Sequence, residues 1–220
     1  NFSSYKVVFV NVAISAYKLS SGVLQIPREL ITDSQFDINT LLAELIVERV
    51  ARLYSAYLVT GTGTAEPQGV VTGAGVGISA AASAITADNV LDLIASVDRA
   101  YRGSASFGVA MNDATETALR KLKDGNGQYL WQMGDIKAGT PSSIWNTPII
   151  VDNGFAGIGT GNVSMVAGDF SKLIVREVGS GVLARSEERY FEFDQVGVMF
   201  TRRVDSKVIN ARANKKLTHA

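Results

Sequence analysis

The chain has 220 residues, 46% hydrophobic and 19% charged, enough for one large domain or two interleaved ones around a real core, and far from a disordered composition. Lys plus Arg and Asp plus Glu both number 21, so no net charge draws it toward nucleic acid or an acidic membrane. Cys is absent and the one His, His219, sits beside the last residue, which excludes disulfides and Cys-ligated metals and argues against a Ser-His-Asp triad, an HExxH zinc site or His-ligated haem.

Residues 8–16 alternate, with Val8, Val10, Val12, Ile14 and Ala16 on one side and Phe9, Asn11, Ala13, Ser15 and Tyr17 on the other. This period of two predicts a two-sided strand, ended by Gly22 and Pro27. No apolar run reaches the ~18 residues of a membrane helix. No basic stretch followed by an apolar block marks a signal peptide, and the opening Asn reads as a processed or trimmed start. Ser34 and Asp37 then form a helix start signal. Ile38, Leu41, Leu42, Leu45, Ile46, Val50, Leu53, Tyr54 and Tyr57 follow at steps of three and four, predicting a helix over about 34–57 with one apolar stripe against a sheet.

From Leu53 to Asp98 there is no Lys or Arg, and residues 61–77 are glycine- and turn-rich, which argues against a long helix there. Asp88 is the expected cap of a second helix burying Val90, Leu91, Leu93, Ile94 and Val97. Residues 107–111 read as a strand, and Asn112 or Asp113 caps a third helix that carries Ala118, Leu119 and Leu122 and ends in basic residues. Residues 124–127 (DGNG) are turn signals. Residues 149–151 read as a buried strand, 163–167 and 173–175 as two more. Tyr190, Phe191, Phe193, Val196, Val198, Met199 and Phe200 predict a long ribbon over 182–204. The last 19 residues hold six Lys/Arg and one Asp, a locally basic tail.

Candidate chemistry is sparse. Gly61, Gly63, Gly73, Gly75 and Gly77 suggest a phosphate cradle, yet a P-loop needs Gly-Lys-Ser/Thr and a dinucleotide loop needs a different third spacing; turns at a domain border account for them. Ser15 and Lys18 match a Ser-x-x-Lys dyad, but on a strand they point to opposite faces. Arg185, Glu187, Glu188 and Arg189 mix both signs at close spacing, either as a solvated strand edge or as a complementary cluster at a symmetric subunit contact. No cofactor or metal is expected, and a structural role is favoured over catalysis.

Six segments in order resemble the major capsid protein of tailed bacteriophages with the HK97-type fold. They are 24–34 (LQIPRELITDS), 58–69 (LVTGTGTAEPQG), 111–115 (MNDAT) with 119–131 (LRKLKDGNGQYLW), 148–153 (PIIVDN), 167–172 (AGDFSK), and 185–191 (RSEERYF) continuing to 203–209 (RVDSKVI). The resemblance implies an α+β subunit with two interleaved domains, a long spine helix and a long β-ribbon. Residues 27–60 and 170–205 would form a peripheral domain and 61–169 and 206–220 an axial one. Residues 1–26 would be the returning half of an extended loop, whose outgoing half, with an arm and a scaffold-like leader, would precede Asn1. It further implies self-assembly of pentamers and hexamers into an icosahedral shell in the virion, put together in the bacterial cytoplasm around packaged double-stranded DNA held by non-specific contact. A scaffold, a maturation protease and a portal are further partners, with no membrane. Arg185, Glu187, Glu188 and Arg189 would be charge-paired contacts where peripheral domains meet. The cross-link that some members form would fall near Val12, Asp194 and Thr201, none of which has the needed side chain, so none is expected, although Lys6 and Lys18 lie nearby. An encapsulin shell storing cargo enzymes and a small nucleotide-binding enzyme are the alternative readings.

Overall fold

The computed structural model describes residues 12–34, 38–123, 126–127, 143–144 and 147–220. The strands form two sheets. A three-stranded antiparallel sheet, in the order β1-β8-β7, is made by β1 (Tyr17–Pro27), β7 (Leu173–Ser186) and β8 (Gln195–Val208). A six-stranded mixed sheet, in the order β2-β9-β6-β3-β5-β4, is made by β2 (Gly75–Ala80), β3 (Phe107–Met111), β4 (Ser143–Ile144), β5 (Thr147–Val151), β6 (Val163–Asp169) and β9 (Asn214–His219). The helices are α1 (Arg28–Asp33), α2 (Ile38–Thr60), α3 (Val70–Gly73), α4 (Ala87–Ser96), α5 (Arg99–Arg102) and α6 (Asp113–Arg120).

The six-stranded sheet is covered on both faces. On one, Val109, Met111, Met165, Ala167 and Leu217 pack against Val90 and Leu93 of α4, Val97 just past its end, and Leu119 of α6. On the other, Ala110 and Val166 meet Val70 of α3, Phe155 and Val59 at the end of α2. Alternation along β3 and β6 sends successive residues to opposite faces, so both faces of a central strand must be apolar. The single histidine belongs to this core. His219 is 1% exposed; its Nδ1 lies 2.7 Å from the Ala81 carbonyl and its Nε2 2.7 Å from the Ser164 hydroxyl. A carbonyl only accepts, so Nδ1 carries the proton and donates, and Nε2 accepts from Ser164. The pair pins β9 between β2 and β6.

Helix α2 runs 23 residues, roughly 35 Å, as its periodicity predicts. Of its expected stripe, Ile38, Ile46 and Val50 are buried, whereas Leu41 and Leu45 are exposed, as is Val47 beside them. Asp37 of the start signal lies outside the described residues, as do Asp124 and Gly125 of the predicted turns.

Several other expectations are corrected. The strand expected over 8–16 fails over its described part: residues 12–16 form no strand and β1 spans Tyr17–Pro27, while residues 8–11 lie outside the described residues. The reason is on β8, where Gln68 takes the main-chain positions beyond the Tyr17↔Val204 pair: its amide donates to the Ser206 carbonyl and its side-chain oxygen accepts from the Val208 amide. Gly22 does not end the strand; at φ +74° it sits in a bulge between Ser20 and Val23. Helix α4 is capped by Thr86 rather than Asp88, through a reciprocal capping box with Asn89, and Leu91 points to solvent. Ile150 and Val151 of β5 are exposed rather than buried. The ribbon is real and longer than predicted, but Tyr190, Phe191 and Phe193 lie in its end loop and not in its strands. The glycine-rich segment is a packing device: a Cβ on Gly61 would sit 2.0 Å from the Pro67 carbonyl oxygen and one on Gly69 2.4 Å from that of Val59, so these residues let the chain fold back onto the end of α2.

Candidate assembly surface

The chemically dense part of the surface is the far end of the β7–β8 ribbon. The strands are joined by residues 187–194, which turn through a single 3-10 turn, Phe191–Phe193, and close on Asp194 in the left-handed region at φ 49°. The turn folds back because Tyr190 lies over Gly197, where an added Cβ would be 3.0 Å from its ring. Phe191 and Phe193 are left 76% and 64% exposed, and Val182 and Leu183 on the adjoining strand are exposed as well.

Around these apolar groups lie the predicted charges. Arg185 pairs with Glu187 at 2.7 Å. Glu188 is exposed, and the Arg189 guanidinium stands 5.7 Å from the Tyr190 ring centroid with no ion-pair partner among the described residues. The structure adds two groups that the sequence reading missed. Arg28, at the start of α1, reaches Glu187 at 3.7 Å and Asp194 at 3.4 Å, and its amide donates to the Asp194 carbonyl. The signal for Arg28 was non-local: β1 runs antiparallel to β8, so Pro27 comes to lie opposite Gln195. The cluster is therefore mixed in sign, solvent-facing and flanked by aromatics, the composition of a contact rim with anchors rather than of a reaction centre.

A second apolar area adjoins α2. Leu24, Leu42 and Leu45 line a groove of about 400 Å³ rimmed by Glu48, Arg49 and Arg52, with Glu48 and Arg52 paired one turn apart. Further along, α2 is tied to the ribbon through Tyr54, whose ring lies under Arg202, itself paired with Glu177. Burial raises the Tyr54 pKa, Glu177 adds to the rise and Arg202 opposes it.

No group of metal-ligating residues occurs among the described residues, and no described helix is long and apolar enough to cross a membrane. The Ser164–His219 pair is wholly buried and backed by a carbonyl where a triad would have a carboxylate. Asp169 is 3% exposed; burial works to raise its pKa, but the Ser171 hydroxyl and amide, the Ser104 hydroxyl and the Lys172 charge outweigh it and lower it. Of the positions considered for a cross-link, Asp194 is at the ribbon tip, Thr201 is in mid-β8, Val12 precedes β1, and Lys6 lies outside the described residues.

A model of the phage capsid family matches residues 3–219. No curated protein matches the chain. Among solved structures, the capsid of an empty GTA particle is 26% identical with a TM-score of 0.83, the match covering 100% of this chain and 80% of that one. The capsid of a native GTA particle is 24% identical with a TM-score of 0.84, over the same shares. A chain from Gordonia phage Cozz is 17% identical with a TM-score of 0.70, covering 99% of this chain and 78% of that one.

Proposed function

Because the chain belongs to the phage capsid family, we propose that its shell is icosahedral, built from pentamers and hexamers of this chain, and encloses double-stranded DNA held by non-specific contact. The chain is a major capsid protein of the HK97-like α+β fold, a structural, shell-forming component of a virion. The icosahedral, DNA-filled shell is carried by the family match across nearly the whole chain. The encapsulin and nucleotide-enzyme readings are not favoured, and the glycines on which the second rested are engaged in packing.

In the proposed division, β1 belongs almost wholly to the extended loop (1–26), α1, α2, β7 and most of β8 to the peripheral domain (27–60 and 170–205), and the six-stranded sheet with α3 to α6 to the axial one (61–169 and 206–220). Arg185, Glu187, Glu188 and Arg189, with Arg28 and Asp194 added, form the contact between peripheral domains. A contact repeated around a five- or six-fold axis sets one part of a copy's surface against a different part of the next, and a compact patch carrying both signs can supply opposite charges to both halves of such a contact. Each pair is weak because it is exposed, and repetition around a closed shell multiplies it. A balanced charge keeps the wall from gripping its contents. The protein acts without catalysis, assembles in the bacterial cytoplasm, and meets a scaffold, a maturation protease and a portal there.

Electron microscopy of the chain expressed alone tests the assembly step, and nuclease-protected DNA in particles made with the packaging apparatus tests the cargo. Closed shells are expected in the first case and protected DNA in the second. Shells filled with protein and free of DNA would favour the encapsulin reading, and a chain that stays monomeric at all concentrations would remove the assembly step.

A further inference from the structure

Where β1 leaves its ladder, the chain is held in an unusual way. Beyond Tyr17, main-chain pairing with β8 stops because Gln68 has taken its place. Residues 13–15 are gripped instead by side chains. The Ser15 amide donates to Asp205 Oδ2 at 2.5 Å. Arg176 Nη1 donates to the Ile14 carbonyl at 2.8 Å and lies 3.4 Å from that of Ser15. Lys207 Nζ donates to the Ala13 carbonyl at 3.1 Å. Arg176 and Asp205 are direct cross-strand partners on β7 and β8, yet they are spent on one crossing peptide. Asp205 is 5% exposed, and its other oxygen accepts from the Ser206 amide, so the carboxylate is tied to its own strand through one oxygen while the other holds the peptide.

We infer that Asp205, Arg176 and Lys207 form a main-chain clamp that fixes the direction in which the segment 12–16 crosses the ribbon. Every contact is to backbone, so the clamp is indifferent to which side chains pass through it. Charge-assisted hydrogen bonds are also the strong and directional ones, suited to setting an angle where no ladder does so. The consequence for assembly rests on the proposed shell function: a loop that reaches a neighbouring copy must leave its own subunit in one direction, or each new contact pays again for ordering it. Asp205, Arg176 and Lys207 are thus positioning residues for assembly.

The test uses the full chain, unassembled, with Arg176→Ala, Lys207→Ala and Asp205→Asn variants and Lys207→Arg as the conservative control. Brief digestion with a low-specificity protease reads the accessibility of residues 12–16, and amide exchange across β7 and β8 reads the fold. Arg176→Ala is expected to speed cleavage at 12–16 about tenfold with ribbon exchange unchanged, Lys207→Ala and Asp205→Asn to act in the same direction, and Lys207→Arg to match the parent. Cleavage within about twofold of the parent in the Arg176 and Lys207 variants, whose side chains are exposed and half-buried respectively and lie outside the core, would overturn the clamp. Shells formed at parental yield by a variant whose segment has been freed would overturn its positioning role. A parent that forms no shells would count against the shell reading alone, since the protease readout does not depend on assembly.

Discussion

Reversing Arg189 to Glu separates the two things the ribbon tip could do. Within its own subunit Arg189 contributes little: it is exposed and holds only a ring contact, at 5.7 Å, worth about 0.5–1 kcal/mol at such a site. For a chain of 220 residues that is a melting temperature shift of roughly 1–4 °C. Between subunits the arithmetic differs. An exposed pair at about 4 Å gains about 1 kcal/mol, and reversing one partner turns that gain into a similar repulsion, a swing of about 2 kcal/mol per contact. Repeated over five or six contacts closing one ring, the swing reaches roughly 10 kcal/mol, about seven orders of magnitude in the ring-closure constant. Arg189→Glu is therefore expected to leave a folded subunit, with unaltered circular dichroism and nearly unaltered melting, that forms no closed particles by sedimentation or electron microscopy. Adding Glu188→Arg should restore assembly in part, and raising the salt should soften the defect by screening. Normal particle yield for the single variant, independent of salt, would refute the reasoning.

Other expectations follow from the same geometry. Gly61→Ala places a Cβ 2.0 Å from a carbonyl oxygen and should destabilise the subunit by about 2 kcal/mol or more, measured by denaturant unfolding, whereas a mobile ligand-binding loop would tolerate it. His219→Ala should cost about 2–4 kcal/mol by emptying a core position and orphaning the Ser164 hydroxyl, lowering the melting temperature. Since the Asp169 pKa is lowered in the folded state, its stabilisation is present above the ordinary carboxylate pKa and lost as pH falls through the folded value; Asp169→Asn should destabilise at neutral pH and converge with the parent in acid. Tyr54 has the opposite sign: its raised pKa gives a contribution intact below its ordinary value of 10.0 and lost above the folded value, so Tyr54→Phe should flatten the alkaline limb of the stability curve.

What the sequence disclosed was mostly local. The period of α2, the Asn112 cap, whose side chain accepts from the Ala114 amide, and the strands at 107–111 and 163–167 follow from neighbours a few residues apart, and all are present. The departures have distant causes. Nothing near residue 14 shows that Gln68 will occupy the edge its strand needs. Asp88 is the exception, with a local cause: Thr86 two positions earlier and Asn89 one later satisfy each other, which makes Asp88 a first-turn residue rather than the cap. Phe191 and Phe193 have strand propensity but are overruled by the tight closure at Asp194. His219, dismissed for its place in the chain, is central in space because β9 enters between β2 and β6. For the proposed assembly surface, the Arg185–Arg189 cluster is visible in the sequence as closely spaced charges of both signs, while Arg28 and Asp194 require the strand pairing that brings them to it. The apolar stripe of α2 was read correctly as a stripe; that Leu41 and Leu45 remain uncovered by the subunit is invisible to periodicity, which reports a face and not its occupant.

Strand β8 is unbroken over 14 residues, about 46 Å at strand spacing. One end is bound through Gln68 and the fold-back beside α2, and the other ends at the charged loop. A rigid rod of that length acts as a lever: a rotation of about 5° at its foot swings the far end by about 4 Å, as large as the reach of an ion pair. Substitutions buried at the foot, far from any partner copy, can therefore retune the curvature at which copies meet.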